Sequence, residues 1–387
     1  MKQRIHSIDI IRGLIMIIMA LDHSRDFFHH PGLSPTNLQT TTVILFFTRF
    51  ITHFCAPGFI FLSGVSVFLT GERRTKKELS SLLFKRGLWL ILSDMLIISL
   101  LFTFDLQYHI LVLEVLWATG FGMILLALLI RTSLPAIAAI AVIILFGHDL
   151  LNYVTLPNNG FGGSLLTLLV SPFRGMVQIG DGRFIAGLYA AIPWSGAILL
   201  GYVFGKLYQN GFDGKKRQKT LLISGIFFIC LFFLLRSINH YGDPRPWTIQ
   251  RNFAHTVLSY LNVTKQVPSL LFFSITLGPI LVLLSMIEKT SNRFTAVCRV
   301  YGNVPYFYFI GHFCLLRVIN IVLIFIEGIP MKSSSDLPLV WQATGFVGYP
   351  LWAVYLFWIA VVALMYYPCK WYGNYKRTYG HWWLTYV

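Results

Sequence analysis

The residues with the most chemical content lie in the first thirty positions. Asp9, Arg12, Asp22, His23, Arg25, Asp26, His29 and His30 interrupt an otherwise apolar stretch. On a helix, Asp9 and Arg12 share a face and can pair. The eleven-residue spacing of Arg12 and His23 returns to within about 20° of one face, roughly 16 Å along the axis. Met16 and Met19 lie between them on that face. The result is a seam with a cation at one end and an imidazole at the other. Imidazole titrates near neutrality, which suits a general base or a nucleophile. His23 is the favoured base, His29 the next candidate and His30 a third. Asp22 or Asp26 can orient an imidazole by taking its other N–H. Asp26 is three residues from both His23 and His29, so it shares a face with each if the helix continues. The plain alternative is an interfacial ion pair, a packed histidine and a solvated helix end.

Further candidates lie beyond. Arg49 and His53 are four apart and share a face. Ser63 follows in the same apolar run. Asp94 and Glu114 fall within apolar segments, where each must find a partner or be protonated; Arg12 or Arg49 is the obvious choice. His148 with Asp149, and Arg236 with His240, close two other segments and can frame a substrate site or simply mark helix ends. His312 and Arg317 are five apart, do not share a face cleanly, and rank lower. Arg73, Arg74, Lys77 and Arg86 form a basic cluster that can collect a phosphate-bearing cofactor, or can serve topology alone. Trp194 reads as packing. No GxGxxG, Walker A, HExxH or GxSxG occurs in the sequence.

The elements that must position these groups follow from composition. Of 387 residues, 56% are hydrophobic, 16% aromatic and only 12% charged, with a mean hydropathy of +0.68. That leaves too little polar surface for a water-soluble globule. Apolar runs of bilayer length recur throughout. The fold class is all-α, a polytopic transmembrane bundle of about ten spanning helices, and the whole of 1–387 reads as one integral-membrane domain. The spans fall near 7–28, 42–70, 80–104, 108–130, 134–154, 185–205, 219–239, 268–288, 301–326 and 350–370. The second is long enough to be broken near Pro57. Long connections occupy 29–41, 155–184, 240–267 and 327–349, and 164–179 is apolar enough for a re-entrant or interfacial piece.

The net charge of +16 is distributed unevenly. One alternating set of loops and both termini carries twenty Lys and Arg; the other set carries seven, namely Arg25, Arg174, Arg183, Arg245, Arg251, Lys265 and Lys332. By the positive-inside rule both termini are cytoplasmic and the four long connections face outside. No basic stripe with aromatic interleaving accompanies the charge, so nucleic acid is not expected as a partner; the lipid bilayer is. Five scattered cysteines without a CxxC point to neither a metal site nor a disulfide framework. Asp9 and Arg12 break the N-terminal apolar run, and no cleavable signal peptide is expected.

Arg12-x10-His23, followed by Gly58-Phe-Ile-Phe-Leu-Ser63-Gly64, resembles the transmembrane acyltransferase superfamily. The opening Arg4-x-x-Ser7-x-Asp9-x-x-Arg12-Gly13 is similar to its heparan-alpha-glucosaminide N-acetyltransferase-like branch, as are Thr48-Arg49-Phe-Ile-Thr52-His53-Phe-Cys55-Ala56-Pro57, Tyr241-Gly-Asp-Pro-Arg-Pro-Trp247, Pro268-Ser-Leu-Leu and Tyr301-Gly-Asn-Val-Pro305-Tyr-Phe-Tyr-Phe-Ile-Gly-His312. The later stretches look like bacterial members. The resemblance covers nearly the whole chain.

The resemblance implies transfer of an acetyl or other short acyl group from cytoplasmic acetyl-CoA, or another acyl-CoA, to a sugar amine or hydroxyl across a bacterial inner membrane, with no metal. The superfamily pattern puts its essential histidine at His23. The glucosaminide branch puts it slightly later, in a stretch resembling Phe27-Phe28-His29-His30. Arg49, His53, Ser63, His148, Asp149, Arg236 and His240 would then serve the acceptor, and Arg73, Arg74, Lys77 and Arg86 the CoA phosphates. The alternative is a secondary transporter or flippase for a polar envelope precursor. Such proteins often show inverted repeats, and no internal repeat is visible here.

Overall fold

A computed structural model describes residues 6–154, 160–171, 177–329 and 348–385. Lys2, Arg4, Arg174 and Lys332 of the charge count lie outside the described residues. The elements are α1 (His6–Phe28), α2 (Val43–Thr52), α3 (Cys55–Gly71), α4 (Lys76–Ser93), a π turn (Asp94–Ile98), α5 (Ser99–Thr103), β1 (Ile110–Leu113), α6 (Val115–Leu129), α7 (Leu134–Gly147) with a 3-10 turn (His148–Tyr153), α8 (Gly160–Val170), β2 (Val177–Gly180), β3 (Arg183–Gly187), α9 (Ala191–Gly205), α10 (Gly214–Ile238), α11 (Phe253–Leu261), α12 (Leu270–Ile287), α13 (Arg293–Gly302), α14 (Pro305–Ile326) and α15 (Leu351–Thr378).

The all-α polytopic class holds. Among the described residues, seven helical stretches are long and apolar enough to cross a membrane: Val43–Gly71, Lys76–Thr103, Leu134–Tyr153, Gly214–Ile238, Leu270–Ile287, Pro305–Ile326 and Leu351–Thr378. The other three of the ten expected segments are also helical. α1 has 23 residues but carries charges along its length, while α6 and α9 have 15 each. The segment expected to start at 108 reaches its helix only after strand β1, and the one expected to start at 185 begins inside β3. β-branched and aromatic runs before α6 and α9 form a small sheet of order β1-β3-β2, with β2 and β3 antiparallel through Val177–Ile185 and Gln178–Phe184. Glu114 therefore precedes α6 rather than lying inside a span. The second span breaks after Thr52, just upstream of Pro57, and the segment near 301 divides between α13 and α14. The interfacial piece expected at 164–179 is in part α8.

Helix starts follow local chemistry. Thr75 and Glu78 form a capping box at α4, and Asn292 and Thr295 another at α13. Thr42, Ser133, Asp213 and Asn252 cap α2, α7, α10 and α11 through side-chain oxygens.

The chain divides into two compact units. The first comprises residues 1–55, 97–110 and 288–387, the second 56–96 and 111–287. In the first, α1 packs most heavily on α13. A Cβ on Gly13 would meet the Cys298 carbonyl oxygen at 1.8 Å, and one on Gly302 the Asp9 carbonyl oxygen at 1.9 Å, so only glycine permits this crossing. In the second, α10 packs on α12 and α4 on α6, with Gly225 against the Gly278 carbonyl and Gly87 against the Gly120 carbonyl. Asp94 Oδ2 accepts from Glu114 N–H at 2.6 Å and Trp117 N–H at 2.8 Å, capping α6 from the π turn.

Candidate active site

α1 carries the site. Near its start, Arg12 Nη1 lies 3.5 Å from Asp9 and donates to the Gly302 carbonyl at 3.3 Å. The expected pair thus forms and also ties α1 to α13. Met16 and Met19 are buried between Arg12 and His23. His23 is 8% exposed. Its Nδ1 lies 2.7 Å from His312 Nε2 of α14, with ring centroids 5.0 Å apart. Phe313 at 4.2 Å and Phe309 at 6.3 Å wall the imidazole. His312 is fully buried, and its Nδ1–H donates to the Tyr308 carbonyl at 2.9 Å.

The carboxylates beside His23 hold arginines. Arg49 Nη1 donates to both Asp22 oxygens at 2.6 and 2.5 Å, and Thr52 Oγ1 donates to Asp22 at 2.9 Å. Arg25 Nη2 bridges Asp22 at 2.7 Å and Asp26 at 2.6 Å. This network ties α2 to α1. The ring nitrogen that meets His23 Nδ1 belongs to His312. His53 ends α2, buried, with its ring 5.9 Å from that of Phe50.

Beyond α1 the chain turns at Pro31 and Gly32, where φ of +83° favours glycine. A cavity of about 300 Å³ opens here, lined by Arg25, Asp26, His29, His30 and the turn 31–35. His29 Nδ1–H donates to the Tyr349 carbonyl at 3.0 Å, and Tyr349 N–H donates to the Phe28 carbonyl at 2.7 Å. Burial pulls the His29 pKa below its ordinary value, aided by the nearby charges of His30 and Arg25 and opposed by the Tyr349 carbonyl. Tyr349 OH donates to Glu327, and burial together with that carboxylate raises the phenol to about 12.

The remaining candidates belong to the second unit. Ser63 Oγ donates to the Phe59 carbonyl at 2.8 Å within α3. Arg73, Arg74 and Lys77 are exposed around the start of α4, and Arg86 is half-buried further along it. Both His148 nitrogens meet carbonyls, Ile144 and Pro268, each at 2.7 Å. Asp149 accepts from Leu270 N–H at 2.8 Å. Arg236 donates to the carbonyls of Tyr260, Arg245, Ser259 and Asn262 at 2.8 to 2.9 Å. These groups pin the 240–270 connection to the helix ends. His240 is exposed. Trp194 is fully buried against Tyr189, Phe272 and Phe273, as packing requires.

The family model for the catalytic region of heparan-alpha-glucosaminide N-acetyltransferase matches residues 4–236. The chain belongs to that family. Membership supports a membrane N-acetyltransferase-like function. The match covers α1 and the cavity, and every nominated site residue except His240. No curated protein matches the chain. Sequence reasoning undervalued His312, which lies in α14 beyond the matched region. The usable signal was a histidine in an apolar run, which needs a polar partner.

Proposed function

We propose that residues 1–387 form one integral-membrane acyltransferase domain. It moves an acetyl or short acyl group from cytoplasmic acyl-CoA to a sugar amine or hydroxyl at the outer face of a bacterial inner membrane. Both termini are cytoplasmic, in keeping with the excess of Lys and Arg on that side. One observation carries the reading. His23 precedes Asp26 by one turn of α1, about 4.5 Å along the axis, and Asp26 lines the cavity of about 300 Å³. A base at that depth stands between an acceptor entering the cavity and a donor arriving from the opposite side.

In this reading the acceptor nitrogen or oxygen attacks the thioester carbonyl and passes its proton to His23. The C–N or C–O bond forms, the C–S bond breaks, and CoA leaves as a thiolate that takes up a proton. The exposed Arg73, Arg74 and Lys77, with Arg86, attract the CoA phosphates. A second reading makes His29 the base. Its place on the cavity wall and its Nδ1–H bond to the Tyr349 carbonyl favour it.

The test is product formation by the purified protein with acetyl-CoA and amino sugars. His23→Ala is expected to lose roughly 10²–10⁴-fold in rate, with His29→Ala much closer to wild type. The reverse order assigns the base to His29. Full activity in both variants refutes both assignments, and an inactive wild type refutes the activity.

A further inference from the structure

His312 lies outside the matched region, yet its Nε2 stands 2.7 Å from His23 Nδ1. We propose that His312 is a positioning residue that fixes the tautomer and orientation of His23, so that the lone pair stands on His23 Nε2. This rests on the reading of His23 as the base.

The geometry determines the protons in sequence. The Tyr308 carbonyl can only accept, so at 2.9 Å it requires the proton on His312 Nδ1. Both imidazoles are buried among Phe309, Phe313 and the Tyr308 ring, whose centroid is 5.2 Å from His312. An imidazolium on the fully buried His312 would be a charge set against apolar walls, so His312 is neutral. A neutral His312 with Nδ1–H carries its lone pair on Nε2. That nitrogen is 2.7 Å from His23 Nδ1, which must then be the donor. His23 Nδ1–H is thereby fixed, and the remaining ring nitrogen, Nε2, is the basic one. The chain from carbonyl to imidazole to imidazole performs the task that a carboxylate performs in hydrolase triads, without placing a further anion in the bilayer. When His23 takes a proton in the reaction, His312 Nε2 accepts the Nδ1–H bond of the imidazolium and steadies its charge.

Two substitutions separate positioning from packing. His312→Gln keeps an acceptor oxygen near the place of Nε2; His312→Leu keeps the bulk and removes the acceptor. Acetyl transfer by His312→Leu is expected to fall about 10²-fold or more in kcat with little change in KM, while His312→Gln stays within about tenfold of wild type. Solid-state 15N spectra of histidine-labelled protein in lipid, with His23 assigned from His23→Gln, read the tautomer directly. Wild type is expected to show a protonated Nδ1 and an unprotonated Nε2 on His23, and His312→Leu a mixture. Equal impairment of Gln and Leu, or a wild-type His23 protonated on Nε2, overturns the proposal. If wild type transfers no acetyl group to any acceptor, the proposed activity falls, and the 15N spectrum still decides the pairing.

Discussion

Replacing Asp22 by asparagine should destabilise the first unit more than any single change to its partners. Asp22 accepts from Arg49 through both oxygens, from Arg25 and from Thr52, at 2.5 to 2.9 Å, and its side chain is 7% exposed. Asp22→Asn leaves two guanidinium groups facing a neutral amide. Breaking a buried pair this way costs about 3–5 kcal/mol, because an uncompensated charge stays behind. Arg49→Gln removes only one cation and leaves Asp22 with Arg25 and Thr52, so its cost should be smaller, about 1–3 kcal/mol. The double variant relieves the stranded Arg49 and should be less damaged than the sum of the two, with a coupling of about 1–3 kcal/mol. Thermal unfolding of the detergent-solubilised protein, followed by fluorescence-detected size exclusion, gives the order. Asp22→Asn should lower the midpoint by several degrees, on the order of 2 °C per kcal/mol in a chain of this size. A midpoint within a degree of wild type, or additive single effects, would show that the network does not hold α2 to α1.

Other expectations follow from the same contacts. Gly13→Ala and Gly302→Ala should each abolish expression of folded protein, since a Cβ would fall 1.8 and 1.9 Å from carbonyl oxygens across the α1–α13 crossing; a well-folded Gly302→Ala protein refutes the crossing. Arg12→Lys should cost activity, because a point charge replaces a planar fork that serves both Asp9 and the Gly302 carbonyl; wild-type rates in Arg12→Lys remove Arg12 from the reaction path. In a background lacking the exposed Cys230 and Cys314, Ser34→Cys should react with a membrane-impermeant thiol reagent from outside intact cells and Lys77→Cys should not; labelling of Lys77→Cys inverts the topology. Because burial lowers the His29 pKa, the unfolded chain binds the extra proton first as pH falls. Stability from this group is complete above the ordinary histidine value and declines below it towards the folded value. His29→Gln should flatten that part of the stability–pH curve, and an unchanged curve refutes a neutral, buried His29.

The fold was largely legible because bilayer physics leaves few options for a long apolar run, and each of the ten expected segments contains a helix. The departures share a cause. Residues 110–113 and 185–187 are apolar enough to extend a span but lie in β1 and β3 beside polar connections, a difference that hydropathy alone does not separate. The seam on α1 was legible because Asp9, Arg12 and His23 obey helical spacing. Their partners were not. Spacing within one helix cannot show that Asp22 meets Arg49 across a turn, or that His23 meets His312 from a helix nearly three hundred residues later. The Pro268 carbonyl at His148 and the Tyr260 carbonyl at Arg236 were hidden for the same reason: they come from a connection whose path the sequence does not give.

The central claim is transfer across the membrane by an imidazole of α1, and sealed proteoliposomes test it most directly. Radiolabelled acetyl-CoA is supplied only on the face labelled as cytoplasmic, and an amino sugar only on the other. The account predicts labelled N-acetyl sugar on the acceptor side, abolished in His23→Ala vesicles that retain folded protein. Product that forms only when donor and acceptor share one side, or that persists undiminished in His23→Ala, contradicts it.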